Sequence, residues 1–207
     1  MKPPSRGVAP GAVRIIGGQW KRSKLPVADA PGLRPTPDRV RETLFNWLGQ
    51  DLSGWRCLDA FAGSGVLGFE AGSRGAQEVV LLERDRRLAQ SLAASAARLQ
   101  ATHVRVEYAE AFAWMARCPP GRFDLVFLDP PFDAHLETPA LAAAHRVLAK
   151  GGFVYLESGK AIDGEASLPP GLRLVRAGRA GQVHYHLLRE DVEEAREAAG
   201  ASPPEGW

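Results

Sequence analysis

Two hydrophobic rhythms alternate along most of the chain. Short apolar runs at Arg56–Phe61, Glu78–Glu83, Val104–Tyr108, Phe123–Asp129 and Phe153–Glu157 predict buried strands. Between them, Val66–Ser73, Arg86–Leu99, Ala111–Arg117 and Leu136–Leu148 predict helices, and the Ala-rich stretch Leu88–Leu99 has the polar and apolar faces of a covering helix. A further helix opens ahead of them, with Thr36 as N-cap, Pro37 at the first helical position, and Val40, Leu44, Trp47 and Leu48 on one face. Continuous apolar strands alternating with helices imply a parallel sheet covered on both sides. Leu172–Val175 and Val183–Leu188, linked through Gly178 and Gly181, predict a closing antiparallel pair. The expected fold class is α/β, a doubly wound, mostly parallel seven-stranded sheet ending in an antiparallel hairpin.

The ends of the chain break this rhythm. Residues 1–33 are rich in Pro and Gly and predict a small N-terminal β-hairpin, Val13–Ile16 with Trp20–Leu25, turning at Gly17-Gly18-Gln19. Residues 34–189 form the expected main domain. Residues 190–207 carry Glu190, Asp191, Glu193, Glu194 and Glu197 and end in Ser-Pro-Pro-Glu-Gly-Trp, the pattern of an acidic C-terminal tail.

Composition narrows the class. An apolar share of 45% with 24% charged residues belongs to a globular chain. No apolar run nears the roughly 20 residues of a membrane helix. The opening Met-Lys-Pro-Pro-Ser-Arg lacks the apolar stretch of a secretory signal. Cys57 and Cys118 read as small core residues in a reducing compartment, so a cytoplasmic protein is expected. His184 and His186 alternate on one strand, but nothing completes a metal set, and none is expected. Trp20 and Trp47 read as packing residues.

Charge adds a partner. The chain has a net charge of +2, yet residues 1–41 carry nine basic side chains against Asp29 and Asp38, a local +7 on a body of −5. A basic arm on an acidic body suggests a polyanion met at one end. The candidate contacts are Arg14, Lys21, Arg22, Lys24, Arg34, Arg39 and Arg41.

Three strand ends carry candidate chemistry. The first strand runs into Asp59-Ala60-Phe61-Ala62-Gly63-Ser64-Gly65-Val66-Leu67-Gly68, where glycines let backbone approach a ligand. Gly63, Gly65 and Gly68 also satisfy GxGxxG, so the glycines alone leave a nicotinamide or flavin enzyme in contention. Asp59 weighs against it: a carboxylate there faces a diphosphate unfavourably but suits a cationic ligand bearing an amino group, as S-adenosylmethionine is. Glu83 ends the next strand, placed to accept two ribose hydroxyls, a role dinucleotide enzymes also use. The decisive signal is Asp129-Pro130-Pro131-Phe132 after the fourth strand. Two prolines stiffen the turn, presenting the Asp129 carboxylate and the Pro130 carbonyl toward one point. Two acceptors gripping the hydrogens of a base amine favour a pyramidal nitrogen with its lone pair free for methylation. Phe132 is expected to stack on the base.

This combination resembles the bacterial 16S ribosomal RNA guanine-N2 methyltransferase family of the RsmD type. The resemblance rests on Arg14-Ile15-Ile16-Gly17-Gly18, the run from Arg34-Pro35-Thr36-Pro37 through Arg41 to Phe45, Asp59 to Gly68, Glu83, Asp129 to Phe132, and the late Gly181-Gln182-Val183 with Tyr185. It spans about residues 12–189, and its two N-terminal motifs are the most particular to that family. It implies a Rossmann-like S-adenosylmethionine methyltransferase fold and cofactor contacts from Asp59, Phe61, Gly63, Gly65 and Glu83. It further implies base handling by Asp129, Pro130 and Phe132, and ribosomal RNA or the assembling small subunit as partner; a monomer is expected. Where the family places Asp or Asn after the third strand, this chain has Glu110, a longer acid that can still accept from the adenine amine. Residue chemistry alone leaves an adenine-N6 or cytosine-N4 methyltransferase open, and, in other classes, a nicotinamide oxidoreductase or a non-catalytic RNA-binding protein.

Overall fold

Residues 11–27, 35–131, 135–162, 164 and 168–191 are described by a computed structural model. Strands β1 (Gly11–Arg14) and β2 (Lys24–Val27) pair antiparallel, with Arg14 opposite Lys24. Helix α1 (Asp38–Leu48) follows. The chain then alternates through β3 (Arg56–Asp59), α2 (Val66–Ser73), β4 (Glu78–Glu83), α3 (Arg86–Arg98), β5 (Val104–Tyr108), α4 (Ala111–Arg117), β6 (Phe123–Leu128), α5 (Glu137–Val147) and β7 (Leu148–Ser158). It closes with β8 (Leu172–Ala180) and β9 (Val183–Glu190). Strands β3 to β9 form one seven-stranded sheet in the order β5-β4-β3-β6-β7-β9-β8. Pairs β3·β4, β4·β5 and β6·β7 are parallel, whereas β9 runs antiparallel to both β7 and β8.

The chain divides into two compact units, Met1–Ala111 and Phe112–Trp207. In the first, Val79 to Leu82 of β4 are all fully buried, with no polar alternation. That is the mark of a strand covered on both faces. Helix α2 lies so close to the strands that a Cβ on Gly68 would meet Leu81 Cδ2 at 2.2 Å. Glycine there sets the depth at which α2 packs. Helix α3 is capped by Asp85, whose Oδ1 accepts from Arg87 N at 2.7 Å and Leu88 N at 3.1 Å, satisfying two of the donors a helix start leaves open. In the second unit, Leu125 to Leu128 of β6 and Val154 to Leu156 of β7 are buried in the same way.

The N-terminal hairpin is fastened to α2. Glu70 is fully buried, and its carboxylate is shared by Arg41 on one oxygen and Arg74 on the other. The Arg41-facing oxygen also accepts from Ile16 N at 2.8 Å. Arg41 donates further to the carbonyls of Arg14 at 2.9 Å and Thr36 at 3.0 Å, and to Asp38 Oδ1 at 2.5 Å. Arg74 lies over the Phe45 ring at 4.0 Å. A Cβ on Gly17 would meet Arg74 Nη2 at 2.3 Å, and Gly18, at φ +71°, packs on the Ser73 carbonyl, which a Cβ would meet at 1.8 Å. Ser73 Oγ donates to Gly17 O at 2.6 Å and accepts from Trp20 N at 2.9 Å. Trp20 stacks on His103 with centroids 5.3 Å apart, a packing residue as expected. The two N-terminal sequence motifs are thus halves of one buried network.

Several boundaries differ from the sequence expectation. The N-cap of α1 is Pro37, not Thr36; Thr36 is buried and its carbonyl is taken by Arg41. The buried face of α1 is Val40, Arg41, Leu44 and Phe45, while Trp47 and Leu48 stay half-buried, because Arg41 turns inward to Glu70. The hairpin forms as expected but is shifted outward: its strands share only Val13–Arg14 and Lys24–Leu25 with the expected ones, since Ile15 to Ser23 form a loop bonded to α2. Strand β8 runs on to Ala180, through Gly178, where a turn was expected. Any Cβ there would strike the Tyr185 ring at 2.3 Å, so Gly178 makes room for a cross-strand aromatic. Strand β9 includes Glu190, expected to begin the tail; its Oε2 accepts from Gly151 N at 2.7 Å.

Candidate functional site

In the first unit the site residues stand at the carboxyl ends of β3, β4 and β5. Asp59 is the last residue of β3 and is buried, its Oδ2 accepting from Gly68 N at 3.1 Å inside α2. The turn between strand and helix runs through Gly63 and Gly65 at φ +52° and +73°, a region that costs other residues strain. A Cβ on Gly65 would also meet Leu92 Cδ2 at 2.4 Å. Gly65 is the N-cap of α2, and Phe61 lies half-buried just before the turn.

Glu83 ends β4 and is buried, with one backbone donor on each oxygen. Gly63 N donates to Oε2 at 2.9 Å and Asp85 N to Oε1 at 2.8 Å. The carboxylate is therefore locked in orientation against the glycine turn, and each oxygen keeps further lone-pair capacity for a ligand donor. Glu110 lies between β5 and α4 and is exposed. Sequence reasoning missed Tyr108. This last residue of β5 pairs in register with Glu83 and is 65% exposed, an aromatic face left open beside the acid. Its signal was a large aromatic at a strand end, which reads equally well as core.

In the second unit, Asp129 and Pro130 follow directly on β6; Asp129 is half-buried, Pro130 buried and Pro131 exposed. Phe132 lies outside the described residues. Leu128 pairs with Leu156 of β7, so Asp129 stands where the next residue of β7 is Glu157. Glu157 is 3% exposed and accepts from the Tyr155 hydroxyl at 3.0 Å. Burial pushes the Tyr155 phenol well above its usual range; the charge and hydrogen bond of Glu157, and then the charge of Asp129, add to the shift. Sequence reasoning passed over Glu157 as an ordinary strand end.

Of the basic residues expected to meet RNA, Arg14, Lys21, Arg22, Lys24 and Arg39 are exposed. An open groove of about 430 Å³ beside the hairpin is lined by Arg14 and Lys24 together with Pro35 to Asp38. Arg34 lies outside the described residues. Arg41 requires correction: it is fully buried and spent on Glu70, Asp38 and two carbonyls, so it serves the fold and not a phosphate. His184 and His186 stack 6.4 Å apart, and His186 Nε2 accepts from Ile162 N at 3.2 Å. Burial, with His184 beside it, lowers His186 below the usual histidine range. Among the described residues no group of three or more His, Cys, Asp or Glu is placed to hold a metal ion.

Residues 13–189 match the family described as "Conserved hypothetical protein 95". The chain is 44% identical over 200 residues to the ribosomal RNA small subunit methyltransferase D of Escherichia coli K12, covering 96% of this chain and all of that protein. The chain belongs to this family. Among solved structures, the E. coli methyltransferase yhhF superposes with a TM-score of 0.77 at 40% identity, over 87% of this chain and 99% of that one. The T. thermophilus 16S rRNA N2 methyltransferase RsmC, solved with AdoMet and guanosine, matches with a TM-score of 0.58 at 25% identity, over 96% of this chain and 47% of that one. As a member of the methyltransferase D family the chain is a methyltransferase, and the oxidoreductase reading of its glycines falls. The family match starts at Val13 and so takes in the network that joins hairpin, α1 and α2.

Proposed function

We propose that the protein transfers the methyl group of S-adenosylmethionine to the exocyclic N2 amine of a guanine in 16S ribosomal RNA of the small subunit. The observation that carries the reading is Asp129 with Pro130 directly after β6, in a chain of the methyltransferase D family. The first unit fits the cofactor. Glu83, held by Gly63 N and Asp85 N, would accept the ribose hydroxyls; Asp59 would serve the cationic amino acid end; Gly63 and Gly65 would give it close backbone; Glu110 would accept from the adenine amine, with Phe61 at the turn beside it. When bound, S-adenosylmethionine supplies an electrophilic methyl group on a sulfonium that leaves as a neutral thioether. Asp129 and the Pro130 carbonyl accept the two amine hydrogens, so the nitrogen lone pair is directed at the methyl group and Asp129 is placed to take the proton the amine then sheds. Phe132, which completes the Asp-Pro-Pro-Phe motif, is proposed to contribute stacking on the base.

Glu83→Ala should weaken cofactor binding by roughly tenfold or more, the scale of losing hydrogen bonds to a charged acceptor. Calorimetric titration with S-adenosylhomocysteine checks it; unchanged affinity in the folded variant removes Glu83 from the site.

The hairpin is proposed as the RNA-docking element of a cytoplasmic, monomeric enzyme, with Arg14, Lys21, Arg22 and Lys24 as its phosphate contacts and Arg34 and Arg39 flanking them. Counterion release makes such binding salt-dependent, with a logarithmic slope of about −0.7 per phosphate on single strands. Replacing Lys21, Arg22 and Lys24 together with Ala should flatten the slope by roughly two units and spare cofactor affinity. An unaltered slope makes these charges solvated surface only. The function itself is tested by incubating undermethylated small subunits with labelled cofactor and identifying the product nucleoside by mass spectrometry. N2-methylguanosine is expected, and N6-methyladenosine or N4-methylcytidine would overturn the assignment.

A further inference from the structure

Across the second unit the sheet register lines up four residues near the ends of adjacent strands. Asp129 follows β6, Glu157 is next on β7, Tyr185 pairs with Glu157 on β9, and Gly178 pairs with Tyr185 on β8. Two carboxylates thus stand on neighbouring strands, and one of them, Glu157, is buried. Tyr155 lies two residues back on the same face of β7 and donates its hydroxyl to Glu157 Oε1 at 3.0 Å. A buried charge must be compensated by hydrogen bonds or have a use. Tyr155 is itself fully buried, so its hydroxyl and the Glu157 carboxylate are desolvated together, while Asp129 on the neighbouring strand is half-buried.

We infer that Glu157, oriented by Tyr155, is a positioning residue for methyl transfer: it places a second negative charge on the strand beside Asp129, where the acceptor nitrogen turns cationic. The inference rests on the proposed function. As the nitrogen lone pair forms the N–C bond, the C–S bond breaks with its electron pair going to sulfur. The positive charge passes from sulfonium to amine, and the extra amine proton leaves to the Asp129 carboxylate. A fixed charge beside that carboxylate favours the cationic amine over the neutral amine, at little reorganisation cost because Tyr155 already holds it. Glu157 acts through Asp129 and its field; Asp129 makes the contact with the base.

The test measures single-turnover methyl transfer to undermethylated small subunits alongside cofactor affinity, subunit affinity and thermal midpoint. Glu157→Gln keeps the shape and removes the charge. It should slow transfer roughly tenfold, the effect of one unit charge several ångströms away in a partly desolvated site, with both affinities near wild type. Glu157→Asp, which retains the charge, should be faster than Glu157→Gln, and Tyr155→Phe should fall between wild type and Glu157→Gln. Equal rates for wild type and Glu157→Gln, equal rates for the Asp and Gln variants, or a rate loss matched by lower midpoint and affinities would each overturn the inference while leaving the proposed function standing. Wild-type protein that does not methylate the subunits would overturn both.

Discussion

Asp129→Ala is expected to abolish methyl transfer to undermethylated small subunits while S-adenosylhomocysteine affinity stays close to wild type. The separation follows from where the chain puts its charges. Cofactor contacts are assigned to strand ends of the first unit, with Glu83 fixed by Gly63 N and Asp85 N and Asp59 fixed by Gly68 N. Asp129 shares none of those hydrogen bonds and belongs to the second unit. Its half-buried position makes the substitution mild for folding. The base amine, by contrast, loses the acceptor that holds one hydrogen and the group that takes its proton. Losing one preorganised polar contact made in a transition state costs about a hundred- to a thousandfold in comparable sites, and here the proton acceptor goes with it. Asp129→Asn keeps one acceptor oxygen and should retain measurable activity above the Ala variant. Tritiated methyl transfer under single-turnover conditions reads both. An Ala variant within tenfold of wild type would remove Asp129 from the chemistry.

How much of this was legible in the sequence depended on whether a residue's role was local. Strands β4 and β5 and helices α2 and α4 begin and end where the pattern put them, because Val79 to Leu82 form an unbroken apolar run and the flanking turns carry their own signals. The positions of Asp59, Glu83 and Asp129 were legible because each ends or directly follows an apolar run, Asp59 ahead of the glycine turn and Asp129 directly before two prolines. Non-local roles were hidden. Arg41 looked like one more cation in a basic arm; its partner Glu70 lies 29 residues on, in a helix whose sequence, Val-Leu-Gly-Phe-Glu-Ala-Gly-Ser, gives no hint that its acid is buried. Gly178 looked like a turn because the Tyr185 ring it accommodates is on the next strand. Glu157 entered only as the last residue of a strand, because its surroundings come from Tyr155 on the same strand and from the register with β6 beside it. Periodicity reports which face is apolar; it does not report which buried polar groups find each other.

The buried network should be the most stability-sensitive polar feature of the chain. Glu70→Gln is expected to destabilise the protein by about 3–5 kcal/mol, the cost of breaking a buried ion pair by removing one partner. The direction follows from the charge balance. Glu70 is the one anion lying between two guanidiniums, those of Arg41 and Arg74, and all three groups are almost fully excluded from water. Removing its charge leaves Asp38, whose side chain is 58% exposed, as the carboxylate still paired with Arg41. Gln can accept on one oxygen only, so either Arg74 alone or Arg41 together with the Ile16 amide is left facing an amide NH2. Arg41→Ala should cost less than Glu70→Gln, because the remaining Glu70–Arg74 pair is neutral as a pair, although the carbonyls of Arg14 and Thr36 lose their donor. An exposed cation of the same hairpin such as Lys21 serves as control, with Lys21→Ala within about 0.5 kcal/mol of wild type. At roughly 2–4 °C per kcal/mol for a chain of this size, Glu70→Gln should lower the melting midpoint by about 6–20 °C. Urea unfolding followed by circular dichroism gives the free energies directly. Hydrogen exchange at Ile16, Gln19 and Trp20 locates the damage: these amides are bonded to Glu70 and Ser73, so they should lose protection before those of β4. A Glu70→Gln loss no larger than that of Lys21→Ala would mean that the hairpin is held by the packing of Trp20 on His103 and Phe69 and by the Ser73 hydrogen bonds, and that the buried charges contribute nothing to anchoring it.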